Sequence, residues 1–96
     1  MAHRVVWSPR ALADVEAIRV LYCLRFPFLR GSVVRRIIEL TRTLEKFPRA
    51  GRKVPEFDDE NLRELIAYSY RIIYRVEAAE VIVAAVIHGK RDLGSV

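Results

Sequence analysis

The sequence predicts an α+β fold of order β-α-α-β-β-β, in which a helical hairpin packs on one face of a mainly antiparallel sheet. Three observations carry this expectation. The first half holds two apolar stripes of helical spacing. The second half holds three runs rich in β-branched and aromatic residues. The breakers Pro27, Gly31, Pro48, Gly51 and Pro55 fall between elements rather than inside them.

Residues 3–7, rich in β-branched and aromatic side chains, read as a short strand. Ser8-Pro9 then opens a helix, because a serine hydroxyl can accept from the free amides of the first turn and proline at the first helical position forfeits no hydrogen bond. Ala11, Val15, Ile18 and Tyr22, widened by Leu12 and Leu21, carry that helix to about Arg25. Ser32 is expected to cap a second helix with Val33, Ile37, Leu40, Leu44 and Phe47 on its buried face, ending at Pro48. Residues 49–61, with Gly51, Pro55 and the acidic run Asp58-Asp59-Glu60, lack a period and read as an ordered connecting loop. Strands follow at residues 62–67, 70–76 and 81–88. The last is apolar at nearly every position, as a central strand contacted on both faces should be.

Length and charge narrow the function. The 96 residues form one domain, 1–96, with a modest core and no room for a bulky cofactor, so the working surface is an exterior face. With 17 Lys+Arg against 12 Asp+Glu, the net charge of +5 favours an acidic partner, and the whole excess lies in residues 1–48. Fourteen of the basic residues are Arg, which suits bidentate carboxylate or phosphate recognition. The single cysteine, Cys23, has no disulfide partner and no zinc-ligand pattern around it, which fits a reducing cytoplasm; no metal or cofactor is expected. No apolar run approaches a membrane span.

Two-residue loops would pair Ala67 with Tyr70 and Glu77 with Glu80, which sorts the side chains into two faces. Leu65, Ala67, Tyr70, Ile72, Tyr74, Val76, Val81, Val83, Ala85 and Ile87 fall under the hairpin. Glu64, Ile66, Arg71, Ile73, Arg75, Ile82, Ala84, Val86 and His88 fall on the opposite face, with Arg71 opposite Val86 and diagonal to His88. No third helix is long enough to cover that second face. An uncovered apolar face signals a partner.

Several pieces, taken in order, resemble one family: Trp7-Ser8-Pro9 with Ala11, Asp14 and Ile18; Pro48-Arg49-Ala50-Gly51-Arg52; Val54-Pro55-Glu56; Leu62-Arg63-Glu64-Leu65; Tyr70-Arg71-Ile72-Ile73-Tyr74-Arg75; and His88-Gly89-Lys90-Arg91-Asp92-Leu93. The chain is similar, nearly end to end, to the RelE/ParE superfamily of bacterial type II toxin–antitoxin toxins. The resemblance implies a cytoplasmic toxin held inactive in a hetero-oligomer with its cognate antitoxin, which would cover Ile73, Ile82 and Val86 and pair with Arg71 or Arg75. Two targets are open: DNA gyrase, as for ParE-type members, and ribosome-bound messenger RNA, as for the endonucleases. A third reading is a non-toxic module that only binds its antitoxin.

Cleaving RNA through the 2′-hydroxyl needs a base, an acid and a cation on the phosphate. The resemblance offers Glu56, His88 and Arg71 for those roles. Where several endonucleases carry a tyrosine after the histidine, however, this chain has Gly89. The ending is closer to the ParE side, which puts gyrase first and assigns target contact to Lys90 and Arg91.

Overall fold

The computed structural model describes residues 2–29 and 31–89. Along the chain run β1 (Arg4–Trp7), α1 (Pro9–Arg25), a 3₁₀ turn (Pro27–Leu29), α2 (Ser32–Thr43), β2 (Arg52–Lys53), β3 (Leu62–Ala67), β4 (Tyr70–Val76) and β5 (Glu80–His88). The five strands form one sheet in the order β1-β5-β4-β3-β2. All neighbouring pairs are antiparallel except β1 with β5, which run parallel in the register Arg4↔Glu80 to Trp7↔Val83. The expected α+β fold is therefore present, and the uniformly apolar last strand lies inside the sheet between β1 and β4.

Helix α1 begins as expected. Ser8 adopts an extended backbone, its hydroxyl accepts from the Ala11 amide at 3.0 Å, and Pro9 takes the first helical position. Helix α2 departs in two ways. Gly31, at φ 84°, precedes it without a side-chain cap, so Ser32 is its first residue rather than its cap; the left-handed backbone there suits glycine. The helix also stops at Thr43, and the following turn leaves Leu44 buried but Phe47 exposed. Pro48 disfavours helical geometry at the residue before it, which shortens the stripe.

Beneath the hairpin Ala11, Ile18, Val33 and Ile37 pack on Ala67, Tyr70, Ile72, Val83 and Val86, with Trp7, Val15, Tyr22 and Leu40 at the margin. A continuation of this layer joins Leu44 to Tyr74, Val76 and Val81. The opposite face has its own core of Val54, Ile73, Ala85 and Ile87, closed by Leu62. Val54 comes from residues 49–61, so that connection folds over the sheet and contributes β2 on the way. The expectation of an uncovered second face is thus corrected around Arg71 and Ile73, which are buried, while Ile66 is exposed and Arg75 and Ile82 are partly exposed. A two-residue strand in a segment without a period leaves no local sign in sequence.

The register brings a further correction. The β3–β4 pairing is as expected, with Ala67 opposite Tyr70, and β4–β5 starts as expected with Val76↔Val81, Arg75↔Ile82 and Tyr74↔Val83. Ile73 then pairs with Ala85, leaving Ala84 as an extra residue in β5. This β-bulge reverses every side chain after it. Ala85 and Ile87 move to the Val54 face, Val86 moves under the helices, and His88 stands opposite Tyr70 rather than diagonal to Arg71.

Candidate functional site

On the far face of the sheet four charged residues among those described form one cluster. Arg71 on β4 and Glu64 on β3 are neighbours across the hairpin, Arg52 on β2 lies opposite Glu64, and Glu56 reaches in from the segment after β2. Each guanidinium nitrogen of Arg71 donates to a carboxylate. Nε bonds Glu64 Oε1 at 2.8 Å, Nη1 bonds Glu56 Oε2 at 2.7 Å, and Nη2 bonds Glu56 Oε1 at 2.7 Å and lies 2.6 Å from Glu64 Oε1. Arg52 Nε closes the chain on Glu64 Oε2. The Glu64 side chain is fully buried and that of Arg71 is 6% exposed, whereas Glu56 is 22% exposed and Arg52 opens to solvent.

The paired carboxylates, Glu56 first, hold the Arg71 pKa well above its usual value despite the opposing cost of burial. Among the described residues these four side chains bring two positive and two negative formal charges together. A buried charge is tolerated only when so paired and hydrogen-bonded. Its evident mechanical role is to fasten residues 49–61 to the sheet. Gly51 adds a second fastening, its amide donating to the Tyr74 hydroxyl at 2.9 Å and its carbonyl accepting from Arg63 Nη1 at 2.9 Å. The Tyr74 hydroxyl is accordingly internal, and burial pushes its pKa up.

Of the three residues assigned to RNA chemistry, the structure brings Glu56 and Arg71 together and points His88 to the other face. The His88 ring packs edge-on against Tyr70 at a centroid distance of 5.9 Å. There it lines a shallow concavity with Ile66, Tyr68, Ser69, Tyr70 and Gly89 at the tip of the β3–β4 hairpin. Tyr68, exposed in the two-residue turn, has φ 54°.

The residues assigned to the antitoxin do not form one open face. Arg71 and Ile73 are buried by the overlying segment, and Val86 belongs to the hairpin core. The bulge and the folded-over segment are the physical causes. Ile82 and Arg75 remain partly exposed, with Arg75 Nη1 3.1 Å from Asp59 Oδ2. Lys90 and Arg91, assigned to the target, lie outside the described residues.

A surface the sequence did not single out lies on the hairpin. Trp7, Leu12, Val15, Glu16 and Ile38 line a groove of about 310 Å³, with Leu12 57% and Ile38 37% exposed. Ile38 also borders a second depression with Val34, Arg35, Glu39 and Arg42. The signal was present: Leu12 widens the α1 stripe beyond what one buried face needs. Among the described residues no His, Cys, Asp and Glu cluster could hold a metal ion, and no helix is long and apolar enough to cross a membrane.

The family described as the ParE toxin of the type II toxin–antitoxin system, parDE, matches residues 5–93. No curated protein matches the chain. Similar solved structures include the chromosomal ParDE toxin–antitoxin system from Pseudomonas aeruginosa, with TM-score 0.73 and 22% identity over 91% of this chain and 96% of that one. The toxin–antitoxin complex RelBE2 from Mycobacterium tuberculosis gives TM-score 0.67 and 17% identity over 92% and 99%. The YoeB dimer from Staphylococcus aureus gives TM-score 0.65 and 16% identity over 92% and 98%.

Proposed function

Because the chain belongs to the ParE toxin family of type II toxin–antitoxin systems, we propose that it arrests growth in the cytoplasm by binding DNA gyrase and that a cognate antitoxin neutralises it. The observation that carries this reading is the placement of His88 on the face opposite Arg71 and Glu56. An endonuclease needs base, acid and phosphate-binding cation around one scissile bond. Here the cation already spends its donors on two glutamates, and the imidazole points away. A gyrase inhibitor needs only a complementary surface, for which the cations Lys90 and Arg91 after β5 are suited.

The test places a supercoiling assay beside a translation-coupled messenger RNA cleavage assay with the same purified protein. Gyrase is expected to be inhibited and messenger RNA left intact. His88→Gln should inhibit gyrase as the wild type does, while Lys90→Glu/Arg91→Glu should weaken inhibition at least tenfold. Cut messenger RNA with unaffected gyrase, and loss of cutting in His88→Gln, would establish the endonuclease reading instead, for which the Glu56–Arg71 contact at 2.7 Å is the favouring observation. Antitoxin binding with neither activity would identify a binding module.

The antitoxin, in this reading, lays an amphipathic segment with acidic flanks in the hairpin groove, its apolar side chains between Trp7, Leu12 and Ile38 and its carboxylates toward Arg35 and Arg42. Exposed apolar side chains beside arginines, in the half of the chain that carries the whole charge excess, support that placement. Arg75 and Ile82 offer a second contact on the far face. Replacing Leu12 or Ile38 by Glu should lower affinity for the cognate antitoxin by about 30-fold each, the scale of losing a well-packed anchor. Titration calorimetry checks this, and affinities within threefold of wild type would move the antitoxin elsewhere.

A further inference from the structure

We propose that Ser8 and Asp14 are positioning residues which select the register of the C-terminal half of β5, and with it the face on which His88 stands. Sheet register is normally specified by alternation of apolar and polar side chains. Strand β5 lacks that alternation, since every residue from Val81 to Ile87 is apolar. The bulged and the regular pairing both bury aliphatic side chains on both faces, so burial alone discriminates weakly between them.

The polar contacts of the backbone do discriminate. Strand β1 pairs with β5 only as far as Trp7↔Val83, and beyond that point the start of α1 lies beside β5 instead of a strand. The Ser8 amide donates to the Val83 carbonyl at 3.0 Å, and the Ser8 hydroxyl donates to the next carbonyl, that of Ala84, at 2.9 Å. In a regular strand successive carbonyls point to opposite sides, so one residue can take both only where the strand is bulged. Two residues further, the Val86 amide donates to Asp14 Oδ2 at 2.9 Å. Without the extra residue, Ala84 C=O and Val86 N–H would swap sides with their neighbours and turn toward β4.

The clamp is well built for this task. Ser8 is itself held as the cap of α1 by accepting from Ala11, and Asp14 is oriented by Arg10 Nε, 3.0 Å from both its carboxylate oxygens. An amide bound to a carboxylate is a charge-assisted hydrogen bond, stronger than the neutral ladder bond it replaces. The consequence reaches the candidate site. In the bulged register His88 meets Tyr70, whereas in the regular one it would stand on the face of Arg71 and Glu56. Two side chains at the beginning of the chain thus decide whether the histidine joins the arginine–glutamate pair. This inference stands independently of which target the toxin has.

Nuclear magnetic resonance on the full chain tests it. In the wild type, cross-strand contacts should join Tyr70 to His88, and the Val86 amide should exchange slowly. Asp14→Ala should speed Val86 exchange about tenfold or more relative to Ile72 on β4, the scale of losing one hydrogen bond. Asp14→Asn, which keeps an acceptor oxygen, should restore slow exchange. In Ser8→Ala/Asp14→Ala the contacts should move from Tyr70–His88 to Tyr70–Ile87. A purely stabilising role would lower the melting temperature and leave these pairs in place. A double variant that keeps the Tyr70–His88 contacts overturns the proposal, and if that variant does not fold, unchanged Val86 exchange in Asp14→Ala overturns it.

Discussion

Replacing Arg71 by Ala is expected to destabilise the protein by about 3–5 kcal/mol, because it removes one partner of a buried ion pair and leaves the other behind. Glu64 has no exposed side-chain surface, so it cannot recover by hydration, and Arg52 reaches only one of its oxygens. Glu56 is partly exposed and will rehydrate, which frees residues 49–61 from the sheet and opens the small core around Val54. Against a total stability of roughly 5–14 kcal/mol for a chain of this size, such a loss is severe.

The double replacement Arg71→Met/Glu64→Met should recover most of it, because apolar side chains of similar volume meet the burial that the charges endure. Urea unfolding of wild type, Arg71→Met, Glu64→Met and the double variant forms a cycle that isolates the coupling. A cost below about 1 kcal/mol for Arg71→Ala would mean that the network is solvated in solution and that Arg71 is available to a ligand.

The same residues show what the sequence made legible. That Arg71 shares a face with Glu64 and Ile73 follows from the two-residue turn at Tyr68-Ser69, since so short a loop leaves little freedom of register between β3 and β4. The helical stripes were legible because a period of 3.6 repeated over three turns is hard to imitate, and Ala11, Ile18, Val33 and Ile37 are indeed buried.

What stayed hidden was non-local or aperiodic. Parallel pairing of β1 with β5 joins residues far apart in sequence and leaves no turn to read. The bulge at Ala84 is set by polar contacts with Ser8 and Asp14, while the apolar pattern of β5 is indifferent to it. Residues 49–61 show no period, yet Val54 and Glu56 close the far face through one buried methyl cluster and one ion pair. Reading that face as open, and His88 as a neighbour of Arg71, came from the same two omissions. Glu56 entered the candidate site through family resemblance, since a glutamate after a proline in a loop has no distinctive physical signature.

Gly51→Ala is expected to cost about 3 kcal/mol or more, a large penalty for a single added methyl group. The backbone at Gly51 does not require glycine through a left-handed conformation; the constraint is space. A β-carbon there would overlap the Glu64 carbonyl oxygen and stand 2.7 Å from the Tyr74 hydroxyl oxygen. Neither neighbour yields easily. The carbonyl belongs to β3, whose ladder with β4 fixes it, and Tyr74 is fully buried in the layer beneath Leu44. To admit the methyl, residues 49–61 must move outward, which breaks the Gly51 amide bond to the Tyr74 hydroxyl and leaves a buried phenol without that partner. The displacement also pulls Arg52 and Glu56 from their partners on the sheet, so steric and electrostatic losses arrive together. At 4–8 °C per kcal/mol for a domain of this size, the melting temperature should fall by roughly 12–24 °C. Tyr74→Phe in the same background should relieve part of the overlap and return part of the loss, whereas a fall of less than about 4 °C in Gly51→Ala alone would show that this segment is not anchored to the sheet as described.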